Sequence, residues 1–170
     1  RQGGEDPYLL SRMAVAVVKG FQGDDPNYLK TVATAKHFIA NNTETGRHSL
    51  SSNVDQRNLR ELYMPAFKSA ITEANAFSVM AAYNALNGIP CPANSWLLND
   101  VLRSEWGFQG YVVSDCDAIQ DIYTGHHYAS SQAEACAMGI NAGTDLNCGS
   151  YYKNYLQAAY DQNLVTDTII

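Results

Sequence analysis

The side chains best able to do chemistry gather where apolar runs turn polar. The sharpest case is Tyr111-Val112-Val113-Ser114-Asp115-Cys116-Asp117, a β-branched and aromatic run suited to a buried strand that ends in a carboxylate. It follows the turn signal Trp106-Gly107-Phe108-Gln109-Gly110. Parallel α/β folds build their active sites at the carboxyl ends of strands, so Asp115 is the first candidate for chemistry. The same residues also fit a helix N-cap ahead of Ala118-Ile119, and spacing alone leaves both readings open. Similar transitions occur at Lys36-His37, Tyr83-Asn84 and Asp145-Leu146-Asn147. A lysine brings a cation and three donors, and a histidine donates or accepts. Without further context, Lys36 reads as a solvated strand end, His37 as a satisfied core histidine and Tyr83 as a packed aromatic. Asp117 and Asp145 compete with Asp115. Asp117 lies past the strand at a helix start, and Asp145 better suits organising hydrogen bonds.

The elements that must position these groups follow from periodicity. Asp6-Pro7 opens a helix over Tyr8–Lys19 that stops at Gly20. Thr31–Phe38 reads as a strand, and Asn41–Asn53 as a long polar loop of the kind that is functional or mobile. Apolar residues at helical spacing (Leu59, Leu62, Ala66, Phe67, Ala70, Ile71) predict one helix over Asp55–Ala74 with Asp55 as N-cap. Phe77–Tyr83 is a second strand, Asn84–Pro90 a Gly/Pro-containing loop, and Trp96–Trp106 a helix capped by Asn94 or Ser95. Tyr111–Asp115 is the third strand. Ser131–Asn141 is a helix, a very short strand ends near Leu146, and Tyr151–Asp161 is a last helix. Strand ends near Phe38, Tyr83, Asp115 and Leu146 are separated by 45, 32 and 31 residues, a βαβ rhythm. Four units with polar carboxyl ends predict an α/β fold that is part of a (β/α)8 TIM-type barrel. A doubly wound sheet is the alternative, but no G-x-G-x-x-G follows any strand, so dinucleotide binding lacks support.

The 170 residues suffice for one domain with a real core. Charged residues are 16% and hydrophobic residues 46%, a buried-strand composition. The net charge of -6 and the lack of a Lys/Arg cluster argue against a nucleic-acid partner. No apolar run reaches membrane-spanning length, and no leader peptide is recognisable. The chain begins without Met and stops within Ile169-Ile170, which reads as an interior piece of a longer protein. The missing leader is therefore silent about compartment.

A set of motifs in fixed order carries a resemblance. Glu5-Asp6-Pro7-Tyr8, Ala35-Lys36-His37-Phe38, Leu59-Arg60-Glu61-Leu62-Tyr63-Met64-Pro65-Ala66-Phe67, Tyr83-Asn84-Ala85-Leu86-Asn87-Gly88-Ile89-Pro90, Leu102-Arg103-Ser104-Glu105-Trp106-Gly107-Phe108-Gln109-Gly110 and Val113-Ser114-Asp115 resemble glycoside hydrolase family 3 over most of the chain. Asp115-Cys116-Asp117 and Ala142–Gly149 are similar to its β-xylosidase branch, which includes α-L-arabinofuranosidases. The resemblance implies a retaining exo-glycosidase that removes terminal β-D-xylosyl residues from xylo-oligosaccharides, needs no cofactor, and uses Asp115 as nucleophile. It implies that Lys36 and His37 hold sugar hydroxyls and that Tyr83 lies near the sugar. It places the acid/base on a later domain, so residues 1–170 are expected to be part of one catalytic barrel and inactive alone. A β-glucosidase or arabinofuranosidase of the same family, or a non-catalytic carbohydrate-binding barrel, are the alternatives. The family's upstream sugar-binding arginine has no secure match, since Arg1 sits too close to Glu5. Adjacent strand residues point to opposite faces, so Lys36 and His37 can share a sugar only if the strand pattern breaks there, as with a cis peptide.

Of four cysteines, Cys116 and Cys148 lie one βα unit apart after neighbouring strand ends, within disulfide reach in a barrel. A Cys116–Cys148 bridge is expected to narrow the pocket beside Asp115, in keeping with a pentose; two small packed residues are the other reading. Such a bridge favours a secreted or periplasmic protein. Cys136 reads as core, and Cys91 has no assignment. No C-x₂-C spacing supports a metal site. Asn41-Asn42-Thr43 fits the glycosylation pattern, Arg60 and Glu61 read as a structural ion pair, and His126-His127 as solvated.

Overall fold

A computed structural model describes residues 4–169. Arg1 and Ile170, on which the arginine match and the reading of the chain ends partly rested, lie outside the described residues. Helix α1 spans Pro7–Gln22, with Pro7 at its first position and the Asp6 side chain accepting from Leu9 N at 2.7 Å. It runs through Gly20 to Gln22, past the expected stop, with Gly23 as its C-cap. An interior glycine costs a helix about 1 kcal/mol. Here burial of Val18 and Gln22 around it keeps the helix going. The buried Gln22 amide donates to Asn75 O at 2.9 Å and accepts from Phe77 N at 3.0 Å, tying the end of α1 to the second strand of the main sheet.

That sheet is parallel. Strands β1 (Thr34–Phe38), β3 (Ser78–Ala81) and β6 (Tyr111–Ser114) lie in the order β1-β3-β6, and Leu146 adds a parallel bridge to Val113. Strand positions therefore add in one direction, with no reversal of the kind that defines a doubly wound sheet. Each is followed by helix, and the whole is a partial (β/α)8 barrel of TIM type. After β1 come the short β2 (Ser51–Ser52), α2 (Gln56–Asn58), a π-helical turn at Leu59–Tyr63 and α3 (Pro65–Thr72). The single helix expected over 55–74 is broken there because Pro65 lacks an N–H and cannot continue a helix from the preceding turn. Asp55 does cap it, accepting from Asn58 N at 3.0 Å.

After β3 the expected loop is instead a hairpin of β4 (Ala85–Leu86) and β5 (Ile89–Pro90). Asn87 and Gly88 form its two-residue turn with φ of 50° and 88°, the left-handed pair that an Asn-Gly turn favours. β2 pairs with β4, so a small second sheet sits at the carboxyl end of the first. A 3-10 turn at Cys91–Ala93 and a π-helix at Trp96–Glu105 follow. Asn94, not Ser95, caps that helix by accepting from Leu97 N at 3.1 Å. Helices α4 (Ala118–Thr124), α5 (Gln132–Asn141) and α6 (Tyr151–Asp161) complete the chain. Arg60 pairs with Glu105 and Glu61 with Arg57, which corrects the expected Arg60–Glu61 pair. Successive helical residues do not face each other.

Phe38, Val79 and Val112 are fully buried in one core with Leu97, Leu98, Val101 and Leu102. Each such side chain contributes about 1.5–3 kcal/mol by leaving water. The Phe38 ring lies 5.0 Å from Phe67 and 5.8 Å from Trp106, locking the carboxyl end of β1 against the helical layer. No helix among the described residues is long and apolar enough to cross a membrane.

Candidate active site

β6 delivers Asp115 to the carboxyl end of the sheet, where Asp115 N still donates to Ala81 O of β3 at 3.0 Å. The residue is 8% exposed. Its Oδ1 accepts from Cys116 N at 2.8 Å, which fixes the rotation of the carboxyl group. Its Oδ2 is buried and accepts no hydrogen bond. A buried carboxylate oxygen that no backbone donor meets is costly, so it marks a place built for something other than stability. The N-cap alternative fails, because Asp117 is the residue that precedes α4.

His37 comes from β1. Its Nε2 stands 3.2 Å from Asp115 Oδ2. The Lys36–His37 and Phe38–Ile39 peptide bonds are cis. The β1–β3 register also slips between Ala35 and Phe38, where three residues of β1 span two of β3. That register slip interrupts the simple alternation of faces between Ala35 and Phe38, the stretch that holds Lys36 and His37. Lys36 is exposed, and its charge reaches the imidazole. Burial holds the His37 pKa below the usual imidazole range, partly opposed by the Asp115 charge. The ring is therefore neutral at neutral pH.

Tyr83 follows β3 and is buried. Burial, then the negative charge of Asp115, push its phenol pKa up, so it remains a neutral O–H group. The Arg47 guanidinium lies 4.4 Å from the centre of the Tyr83 ring, and the His48 ring lies 4.4 Å from it, tilted by 59°. Both belong to the loop that sequence reasoning marked only as long and polar. His48 Nδ1 is 2.6 Å from Asp121 Oδ2 of α4, and His126 Nε2 donates to Tyr83 O at 2.8 Å. His126 is thereby bound into the site, which corrects its reading as solvated; His127 is exposed. Arg47, His48, Asp121 and His126 had no local signal, because their partners lie far away in sequence.

Cys116 and Cys148 are joined by a disulfide, with Cα atoms 4.4 Å apart. Around it Cys148 N donates to Ser114 Oγ at 3.0 Å and Asp117 N to Cys148 O at 2.7 Å. The wall beside Asp115 is thus covalent and hydrogen-bonded. Asp145 Oδ2 accepts from Val112 N at 2.6 Å and from Arg103 Nη2 at 2.7 Å, the organising role expected of it. Cys91 and Cys136 are free and buried, and burial pushes both thiols up to about 12. Asn41 of the glycosylation pattern is buried, which does not suit a modified residue. Among the described residues no three His, Cys, Asp or Glu side chains gather as a metal site. An open hollow of about 580 Å³ lined by Lys19, Asp24, Lys30 and Asn75 lies at the amino end of the strands, away from this constellation.

Asp115, His37 and Tyr83 thus come from three adjacent strand ends, with Arg47 above Tyr83 and the disulfide to one side. The arrangement offers a carboxylate nucleophile or base among neutral and cationic donors, suited to a polyhydroxylated, uncharged ligand. The family model described as "Glycosyl hydrolase family 3 N terminal domain" matches residues 1–167. The "Probable exo-1,4-beta-xylosidase xlnD" of Neosartorya fischeri is 44% identical over 172 residues, covering 96% of this chain. The chain spans 22% of that protein. A solved GH3 exo-beta-xylosidase (XlnD), in complex with a xylobiose aziridine activity based probe, superposes with a TM-score of 0.95 at 38% identity, covering 98% of this chain and 23% of that one. A beta-glucosidase from Listeria innocua superposes with a TM-score of 0.87 at 34% identity, covering 98% of this chain and 24% of the other.

Proposed function

The chain belongs to glycoside hydrolase family 3, and on that premise we propose that it is the nucleophile-bearing part of a retaining exo-β-xylosidase acting on xylo-oligosaccharides. The observation that carries this reading is the buried Asp115 carboxylate at the carboxyl end of β6, with its Oδ2 3.2 Å from His37 Nε2. In the first step Oδ2 attacks the anomeric carbon of the terminal sugar as the glycosidic bond breaks. A carboxylic acid from outside this chain protonates the leaving oxygen. In the second step that group, now a carboxylate, takes a proton from water, the hydroxyl joins the anomeric carbon, and Asp115 is released with configuration retained. The two carboxyls then stand roughly 5–5.5 Å apart. Lys36 and neutral His37 hold sugar hydroxyls, and Tyr83 bounds the ring. Without the acid/base, the chain by itself is expected to be inactive.

The Cys116–Cys148 bridge beside the nucleophile supports a pentose, which lacks the hydroxymethyl group that a hexose must place. The similarity to the Listeria innocua beta-glucosidase supports the second reading, a glucoside substrate. Labelling of the protein that carries this chain with a 2-fluoro-xyloside, followed by peptide mapping, tests the proposal. The label is expected on Asp115, and a label on any other residue overturns it. Comparison of xyloside, arabinofuranoside and glucoside hydrolysis separates the substrates. A non-catalytic barrel predicts that Asp115→Ala leaves turnover unchanged.

A further inference from the structure

Resting on the glycosidase reading above, we propose that His48 and Asp121 form a latch that positions the loop bearing Arg47 over Tyr83, and so sets how tightly the sugar is held. Four observations carry it. His48 Nδ1 and Asp121 Oδ2 meet at 2.6 Å across 73 residues of sequence, from a loop to a helix that otherwise belong to different βα units. A carboxylate only accepts, so Nδ1 carries the hydrogen and the tautomer is fixed. The approach is also built into the backbone. A Cβ at Gly125 would collide with the His48 carbonyl oxygen, so the glycine at the end of α4 is what lets the loop reach it. The same turn carries His126, whose Nε2 donates to Tyr83 O at 2.8 Å. α4 and its turn thus grip both the loop and the residue beneath it.

Elsewhere the loop is tied to the small sheet, with Ala85 N donating to Leu50 O at 2.9 Å, Asn87 N to Ser52 O at 3.1 Å, Gly88 N to Ser51 Oγ at 2.8 Å and Ser52 Oγ to Ala40 O at 2.9 Å. Those bonds fix residues 50–52; the tip is folded on itself, with Ser49 N and Leu50 N donating to Gly46 O at 2.9 Å and Arg47 paired with Glu44 at 2.8 Å, and the latch ties that folded tip to α4. Released, the tip would withdraw the guanidinium from the Tyr83 ring, 4.4 Å away, and its charge from His37. His48 and Asp121 need not touch the sugar for this. They act through Arg47 and Tyr83, and are positioning residues.

The test compares Asp121→Ala with Asp121→Asn in the full protein that carries this chain. Asparagine keeps an acceptor for His48 Nδ1, whereas alanine removes it. Asp121→Ala is expected to raise KM for an aryl xyloside roughly tenfold while kcat changes less than about threefold, a loss of binding common to ground and transition states. It is also expected to speed tryptic cleavage after Arg47, scored by mass spectrometry. Asp121→Asn is expected to restore KM to within about twofold of wild type and to restore resistance to trypsin. An active wild type with Asp121→Ala unchanged in KM and in cleavage overturns the latch alone. A fall in kcat and melting temperature that Asp121→Asn shares also overturns it, because that is the mark of a merely structural carboxylate. A wild type without activity on any aryl glycoside defeats the glycosidase reading, and this inference with it.

Discussion

His37 Nε2 stands 3.2 Å from Asp115 Oδ2, although the two residues come from strands that are not neighbours in the sheet. β3 lies between them, and the pair closes over its end. The imidazole is near enough to hold the carboxylate in place, while no backbone donor meets Oδ2.

Asp115→Ala is expected to lower kcat at least about 10³-fold, because the covalent intermediate can no longer form. Its melting temperature should fall only modestly, since Cys116 N loses its acceptor while the costly buried carboxylate is removed. Asp145→Ala should behave in the opposite way. It strips Val112 N and Arg103 of their acceptor, at a cost of about 1–3 kcal/mol, while leaving the nucleophile in place. Thermal melts and steady-state kinetics on the two variants check both halves.

The pH dependence of stability should carry a His37 signature. Its folded-state pKa lies below the unfolded 6.5, mainly through burial. The unfolded chain therefore binds the proton first on acidification, and stability falls with falling pH. The contribution is fully present above pH 6.5 and is lost as pH falls through the folded value. Replacement His37→Gln should flatten this part of a plot of urea midpoint against pH. An unaltered slope would show that the imidazole is not held neutral.

Replacing both bridge cysteines, Cys116→Ser with Cys148→Ser, frees a loop whose ends are 32 residues apart. Chain entropy alone predicts a loss of about 3–4 kcal/mol. The pocket wall should loosen as well, so the ratio of xyloside to glucoside kcat/KM is expected to fall roughly tenfold, the scale of a small steric exclusion. Calorimetry and paired substrate kinetics read the two effects separately.

Phe38→Ala removes a fully buried ring that touches Phe67 and Trp106. The expected cost is about 3–5 kcal/mol from lost transfer energy and the cavity left behind. Because Phe38 directly follows His37, activity should fall with stability. Denaturant unfolding with an unchanged midpoint would contradict this packing.

Some features were legible because their signals are local. Asp6-Pro7 announced its helix, Tyr151–Asp161 matched its predicted span, and the apolar run into Asp115 marked both the strand and the carboxylate. The Asn87-Gly88 hairpin and the break at Pro65 also carried local signals, but the longer pattern around them was read as loop and as helix. Gly20 shows the converse, a stop signal overridden by the burial of its neighbours.

The sequence by itself determined the rhythm of strand and helix, the family, and the residues at the strand ends, because each is written in contiguous segments of chain. Only the tertiary structure decided which of those residues meet. Arg47, His48, Asp121 and His126 entered the site through contacts spanning tens of residues, set by how α4 packs over the loop after β1. Side-chain proximity across a barrel depends on strand order, register and helix placement together, and no single stretch of sequence encodes that product.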